Sequence, residues 1–509
     1  MSLFRVLSIV LSCGGPLIAW PAHADPFAPG QGLDRALIAE VATAALAFIG
    51  PRTLEPVPAS RLTLWGVRGL STLDPRITIE ARDKDVNVFV AGRSVLALDV
   101  PPEADEQGWG TLVGRVAQAA WNSSEAVRRA GTQGIITGFF NEMFSYLDPY
   151  SRYVPPREAT KERDDRRGQV KLGLTVALRD GVPIVIRLAP GGPGTIAGLR
   201  VGDRLLSIDG QTIEAGIAIG DIADLLDGEE GSTVPVEALG QDGRVRRLTV
   251  TRELVVPVTV TASRAGTLLL LRVTGFNRDT GAALARELSR AVAGPRPPSG
   301  AVLDLRGNRG GLLREAVAAA ETLLSGGTVA RTTGRGADAN RDYTAEGHDL
   351  LAGRPIVVLV NGLTASAAEV LAAGLADQGR AVLVGSVTFG KGLVQTITSL
   401  PDGGDLFVSW RRVIAPLDWP IQGLGVMPRV CTSLGDGFIR AQLAALGRGR
   451  LLLAPAVARA RAARAPLPPA EALDIRGACP PAEGGAPDMV AARFVLDHAK
   501  AYGVAAMMP

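Results

Sequence analysis

The chain reads as an α/β protein, and three observations carry that reading. From residue 267 onward, apolar runs of strand character alternate with stretches of helical periodicity. A compact run of strands and short helices precedes them, and the first part of the chain is mainly helical. Alternating strands and helices imply helices packed on a sheet through crossover connections, with chemistry at the strand ends. At about 150 residues per domain, the 509 residues correspond to a modular protein of about three domains. Apolar content of 47% and charged content of 21% are those of an ordinary globular chain, and a net charge of +3 gives no reason to expect nucleic acid as a partner.

The first 24 residues read as an export signal. Arg5 lies in a short basic start, apolar runs follow at 6–10 and 17–20, and Ala22-His23-Ala24 precedes Asp25. Cys13 after Val10-Leu11-Ser12 has the outline of a lipid-anchoring box, which the bulky Leu11 fits poorly. A region of mixed helix and strand then runs over 25–165. Residues 33–49 carry helical periodicity up to Gly50-Pro51, residues 77–100 alternate as strands, and 109–144 return to helix. The densely charged stretch 157–168 reads as a hinge or linker.

Residues 169–254 form the compact α+β unit. Strands are expected at 172–176, 184–186, 234–238 and 245–251, with a helix over 217–226. The core unit spans 258–430. Its strands are expected at 267–273, 300–305 and 355–360, and its helices at 279–292, 312–324 and 365–377. A tail, 431–509, follows, with an apolar helix over about 489–502 suited to docking on the core or on a second subunit. Its arginines at 440, 448, 450, 459, 461 and 464 run without an acid between Asp436 and Glu471, as on a solvated helical face. Loss of the signal leaves Cys431 and Cys479. In an oxidising compartment these are either bridged, tying the tail to the core, or two separate buried thiols.

The chemistry-bearing stretch lies between Asn361 and Pro428, where Ser366, Asp377, Lys391 and Gln395 stand among small and apolar residues with no histidine between them. A serine hydroxyl needs a base to become a nucleophile, and lysine can serve once desolvation makes it neutral near pH 7. Val387, Phe389, Leu393 and Val394 are suitable apolar neighbours. Two rival readings exist. Ser366 followed by Glu369 is also a helix capping box, compatible with a nucleophile because a helix N-terminus stabilises an oxyanion. Gly385, Gly390 and Lys391 approach a phosphate loop, but Gly392 lacks the hydroxyl and a strand-like run follows where such a loop needs a helix. No metal or cofactor motif occurs. Gln395 falls on the same side of an extended segment as Lys391 and can orient its amine. Paired Gly310 and Gly311, with the Ala367 N–H, are candidate oxyanion donors. Asp304 and Asn308 are placed to shape the glycine turn.

Two resemblances extend this reading. The unit containing "AGLRVGDRLLSIDG" resembles a PDZ domain over its full length. That likeness implies capture of a peptide C-terminus at Leu172, Gly173 and Leu174, with Ile222 and Leu225 of the helix lining the side-chain pocket. The blocks "YLDPYSRYVPP", "LDLRGNRGGLLREAV", "LVNGLTASAAEVLAAGLADQGRAVLVG", "TFGKGLVQT" and "IQGLGVMP" resemble the C-terminal processing peptidases, or tail-specific proteases, in order and spacing. That likeness implies a crotonase/Clp-protease-like core with an inserted PDZ domain. It makes Ser366 the nucleophile, Lys391 the base and Gln395 its support, and it matches Asp377 to an acidic position of catalytic or structural role. Arg309 stands where many relatives have proline, and Ala368 where many have a second serine. The expected activity is serine endopeptidase action on polypeptides held by their C-termini, with PDZ hinging as a gate. An adaptor protein and homo-oligomers are compatible partners, and a noncatalytic PDZ adaptor on the same fold is the alternative function.

Overall fold

The computed structural model describes residues 32–507 except 83, 168, 215 and 256, so the stretch expected to be an export signal and Cys13 lie outside the described residues. The central feature is a six-stranded sheet in the order Val260–Ala265, Leu268–Val273, Gly300–Asp304, Ile356–Val360, Val382–Gly385, Val430–Cys431. The first pair is antiparallel and every later neighbour is parallel. Parallel strands covered on both faces must be apolar throughout. All five residues of Ile356–Val360 are buried. The period of two then divides the strands between two cores. Leu271, Leu303, Val358 and Leu383 enter the larger one, with the helices Thr280–Ala293, Leu313–Glu321 and Ala367–Asp377. Val302, Val357, Leu359 and Val384 face a second core built with the tail residues Ala491, Val495 and Ala505.

The single apolar helix expected near the C-terminus is two, Ala486–Asp497 and Ala499–Ala506, broken at His498. Both dock on this sheet. The tail is thus a structural layer of the core. Cys431 and Cys479 are bridged, with Cα atoms 5.8 Å apart. The arginine series is not wholly a solvated face: Arg461 turns inward to Asp377 at 2.8 Å.

A second sheet, Arg341–Ala345, Gly327–Thr333, Asp405–Ile414 and Leu393–Ser399, also takes in Arg152–Val154 from the N-terminal region. That region has a three-stranded sheet, Ile77–Asp99, packed with helices that include Arg35–Ile49, Glu106–Ser123 and Glu125–Ser145. The charged stretch read as a linker is a helix, Pro156–Arg167. Its Arg163 reaches Asp405 of the core at 2.6 Å. Charge density hid it, because the pattern shows no apolar stripe while Glu, Lys, Arg and Ala all favour helix.

The compact unit has the strand order Val245–Thr251, Thr233–Leu239, Arg204–Ile208, Val182–Leu188, Leu174–Arg179. A short antiparallel pair, Gln169–Lys171 with Glu253–Val255, joins its entry and exit, as an inserted domain requires.

Candidate active site

Three loops leave the C-terminal ends of the adjacent parallel strands Gly300–Asp304, Ile356–Val360 and Val382–Gly385, and they carry the predicted chemistry. They are stitched together by hydrogen bonds. Asn361 Oδ1 accepts from the Gly307 N–H at 3.0 Å, Asn308 O from the Ala365 N–H at 2.9 Å, and Thr364 O from the Phe389 N–H at 2.9 Å. Asn308 is fully buried and also donates to the Val273 carbonyl at 2.9 Å, which fixes the glycine turn from below.

Ser366 stands at the N-terminus of the Ala367–Asp377 helix at φ 56°, ψ −123°. For a residue with a Cβ this left-handed conformation costs on the order of 1–2 kcal/mol. It departs from the extended backbone of an ordinary helix cap. The Glu369 half of the capping box is in place, and Ser366 also lines an open cleft. Gly310 makes the approach feasible, since a Cβ there would come within 2.7 Å of the Ser366 Cβ.

The strain is held by Glu369, a side chain with no exposure to solvent. Its Oε2 accepts from the Ser366 N–H at 2.9 Å and the Lys391 N–H at 2.8 Å. Its Oε1 accepts from the Gly390 N–H at 2.7 Å and from the Thr388 hydroxyl. Burial raises its pKa, and the Thr388 hydroxyl and the three N–H donors oppose that rise. One carboxylate therefore fastens the backbone of Ser366 to the backbone of Lys391. Sequence reasoning saw only the local capping box, because the other three donors come from a loop distant in the chain.

Lys391 and Gln395 line the same cleft as Ser366. Gln395 Nε2 donates to the Tyr150 carbonyl at 2.5 Å, which turns Oε1 toward Lys391 Nζ at 3.3 Å. The ammonium also lies 4.9 Å from the centre of the Tyr150 ring. Burial lowers the Lys391 pKa, Arg152 pushes the same way, and Asp148 opposes. The Lys391 side of the cleft is thus completed by the N-terminal segment around Tyr150. The rest of the lining is mainly apolar, from Phe276, Leu313, Val370, Ile397, Phe407 and Val413.

The two candidate donor glycines separate. The Gly310 N–H is taken by Asn308 Oδ1 at 2.8 Å, whereas Gly311 lines the cleft together with Ala367. Gly311 has φ 142° and runs beside Phe276, whose carbonyl occupies the space a Cβ would need. Asp304 is engaged by Arg306 at 2.8 Å and Arg272 at 3.0 Å, so it braces the turn through ion pairs. Asp377 is remote, at the opposite end of a helix of 11 residues, about 15 Å from Ser366 by helical rise. It accepts from Trp419 Nε1 at 2.7 Å and pairs with Arg461, which is a structural position.

In the compact unit, an apolar groove runs between the strand Leu174–Arg179 and the helix Ile219–Leu226. Leu172, Leu174 and Ile222 line it, and Gly173 turns the loop at φ 67°. Leu225 does not: it packs on the unit's own core, and the helical lining is Ile219, Ile222, Ala223 and Leu226. Spacings of three and four keep those residues on one face. The strand is terminal in its sheet, so one edge is unpaired among the described residues.

Comparison with known proteins identifies two family matches. Residues 267–431 match the model of peptidase family S41, and residues 184–239 match a PDZ domain model. The chain is 36% identical over 309 residues to a chloroplastic C-terminal processing peptidase of Tetradesmus obliquus, covering 56% of this chain and 64% of that protein. It is 34% identical over 296 residues to a carboxyl-terminal-processing protease of Picosynechococcus, covering 56% and 70% respectively. Among solved structures, a photosystem II D1 C-terminal processing protease aligns at 29% identity over 72% of this chain and 92% of that one, with a TM-score of 0.37. These matches define a serine endopeptidase with a PDZ domain. The chain belongs to the carboxyl-terminal-processing proteases of peptidase family S41.

Proposed function

We propose that the protein is an exported endopeptidase that holds a polypeptide by its C-terminus in the PDZ groove and cleaves it through an acyl-enzyme at Ser366, with Lys391 as base. The observation that carries this reading is the common cleft of Ser366, Lys391 and Gln395. Burial holds the Lys391 pKa below that of a free lysine, which makes the neutral amine easier to reach. Neutral Lys391 takes the Ser366 hydroxyl proton as Oγ attacks the carbonyl carbon. The charge passing to the carbonyl oxygen is received by the N–H groups of Ala367 and Gly311, beside the positive end of the Ala367–Asp377 helix. The lysine ammonium then gives its proton to the leaving amine as the C–N bond breaks. Neutral again, it takes a proton from water as the water oxygen attacks the acyl carbon, and it returns that proton to Ser366 Oγ as the acyl C–O bond breaks, which releases the acid and restores both side chains.

The free edge of Leu174–Arg179 supports addition of the substrate tail as a further strand, its carboxylate at the Leu172-Gly173-Leu174 turn. The apolar groove favours an apolar last residue. The test uses an unfolded protein ending in apolar residues and the same protein with a C-terminal carboxamide. Wild type is expected to cleave the free acid much faster, and Ser366→Ala neither. Equal rates on both substrates reject tail capture, whereas cleavage by Ser366→Ala rejects the serine mechanism.

A pH prediction follows from the lowered Lys391 pKa. Activity needs the neutral amine, so kcat rises with pH through that pKa. Arg152 helps to lower it, and removing that charge makes protonation easier. Arg152→Ala is therefore expected to move the acid limb of kcat to higher pH. A limb that stays in place or moves down contradicts the base assignment.

A further inference from the structure

We propose that Arg476, in the tail beyond the family-model match, is a positioning residue that holds the Lys391 loop against the nucleophile. The inference rests on the Ser366–Lys391 reading above. Arg476 ends the helix Pro469–Arg476 and is only partly exposed. Its Nη1 donates to the Thr388 carbonyl at 2.9 Å and to the Leu424 carbonyl at 2.8 Å. Thr388 and Gly390, on either side of Phe389, are two of the residues that bind Glu369. A Cβ on Gly390 would lie 3.3 Å from Arg476 Nη1, and one on Gly425 would lie 2.7 Å away. The guanidinium thus sits directly under the backbone turn that delivers Lys391.

The residues that follow extend the same brace. The Cys479 carbonyl accepts from the Val387 N–H at 3.2 Å. The Ala482 N–H donates to Ser386 Oγ at 3.0 Å, and the Ala482 carbonyl accepts from the Gly362 N–H at 2.8 Å. Asn361 Nδ2 donates to the Glu483 carbonyl at 2.6 Å. Residues 476–483 therefore touch the loop that ends in Ser366 and the loop that contains Lys391. The Cys431–Cys479 bridge fastens this segment to the last strand of the sheet. Both loops leave strand ends of the central sheet. A segment bonded to both fixes their separation, which is the quantity a nucleophile–base pair depends on.

Steady-state kinetics on the full-length mature chain tests the proposal. Arg476→Ala is expected to lower kcat by about 10²-fold with KM within about twofold, the loss typical of an ångström-scale misplacement. The acid limb of kcat should also move to higher pH as the loosened loop lets water reach Lys391. Added guanidinium, or Arg476→Lys, should restore part of kcat. A folded Arg476→Ala enzyme with unchanged kcat and pH limb, or one that loses only KM, overturns the proposal. Should Arg476→Ala fail to fold, Ser386→Ala removes the hydroxyl bonds to Ala482 with minimal change of packing. It is expected to lower kcat in the same sense, and an unchanged kcat in a folded Ser386→Ala enzyme overturns the brace. Ser366→Ala in parallel separates the two claims. If it is inactive while the brace variants behave as wild type, only the brace fails; if it is active, the dyad reading fails.

Discussion

Lys391→Ala is expected to cut kcat for peptide hydrolysis by roughly 10⁴-fold or more, with a folded protein and an unaltered PDZ groove. The reason is that the Ser366 hydroxyl has no other base prepared for it. Gln395 orients an amine but carries no basic pair of its own, and Glu369 is spent on four donors with none of its surface in the cleft. Ser366→Ala should be as damaging, and the double variant no worse than either single one, because nucleophile and base act as one unit. Melting temperature should change little in Lys391→Ala, since a desolvated ammonium is exchanged for a methyl group. Measurement of kcat for the three variants on one peptide checks this. Additive losses would mean that the two side chains act in separate steps.

Glu369→Gln is the second large effect, expected to lower kcat by about 10²-fold through misplacement of both catalytic loops. It should also cost about 2–3 kcal/mol of stability, because buried donors lose their acceptor. The carboxylate offers two oxygens to three N–H groups and one hydroxyl. An amide of the same shape turns one oxygen into an NH₂ that points at other donors. The strained Ser366 backbone loses its anchor at the same time. KM should be nearly unchanged, since Glu369 lies behind the backbone of Ser366 and Lys391 and does not itself line the cleft. Near-wild-type kcat in Glu369→Gln would show that the loops are held by their other bonds alone. Denaturant unfolding alongside the kinetics separates the stability loss from the rate loss.

The sequence carries what depends on periodicity and on local chemistry. The strand and helix order of the core, the serine at a helix start, the lysine between glycines and the glutamine four residues on were all legible. They bring Ser366, Lys391 and Gln395 to one cleft. What was not legible depends on contacts between distant segments. Tyr150 contributes a carbonyl to Gln395, and a carbonyl leaves no mark on the residue type. Glu369 looked local because its capping partner is three residues away, while its three other donors belong to Thr388, Gly390 and Lys391. Asp377 looked equally catalytic or structural until Trp419 and Arg461 were found at its carboxylate. Gly310 and Gly311 are equivalent as letters, and only the Asn308 side chain distinguishes their N–H groups. Leu225 is absent from the groove lining while Leu226, one position on, is present, because a helical face is narrow enough for one position of register to decide.

The most direct measurement is covalent labelling with a fluorophosphonate, which reacts with an activated serine. Digestion and mass spectrometry should find one adduct, on Ser366. Its rate of formation should rise with pH along the same limb as kcat and should collapse in Lys391→Ala. An adduct on another residue, or equal labelling rates in wild type and Lys391→Ala, would contradict a serine activated by lysine.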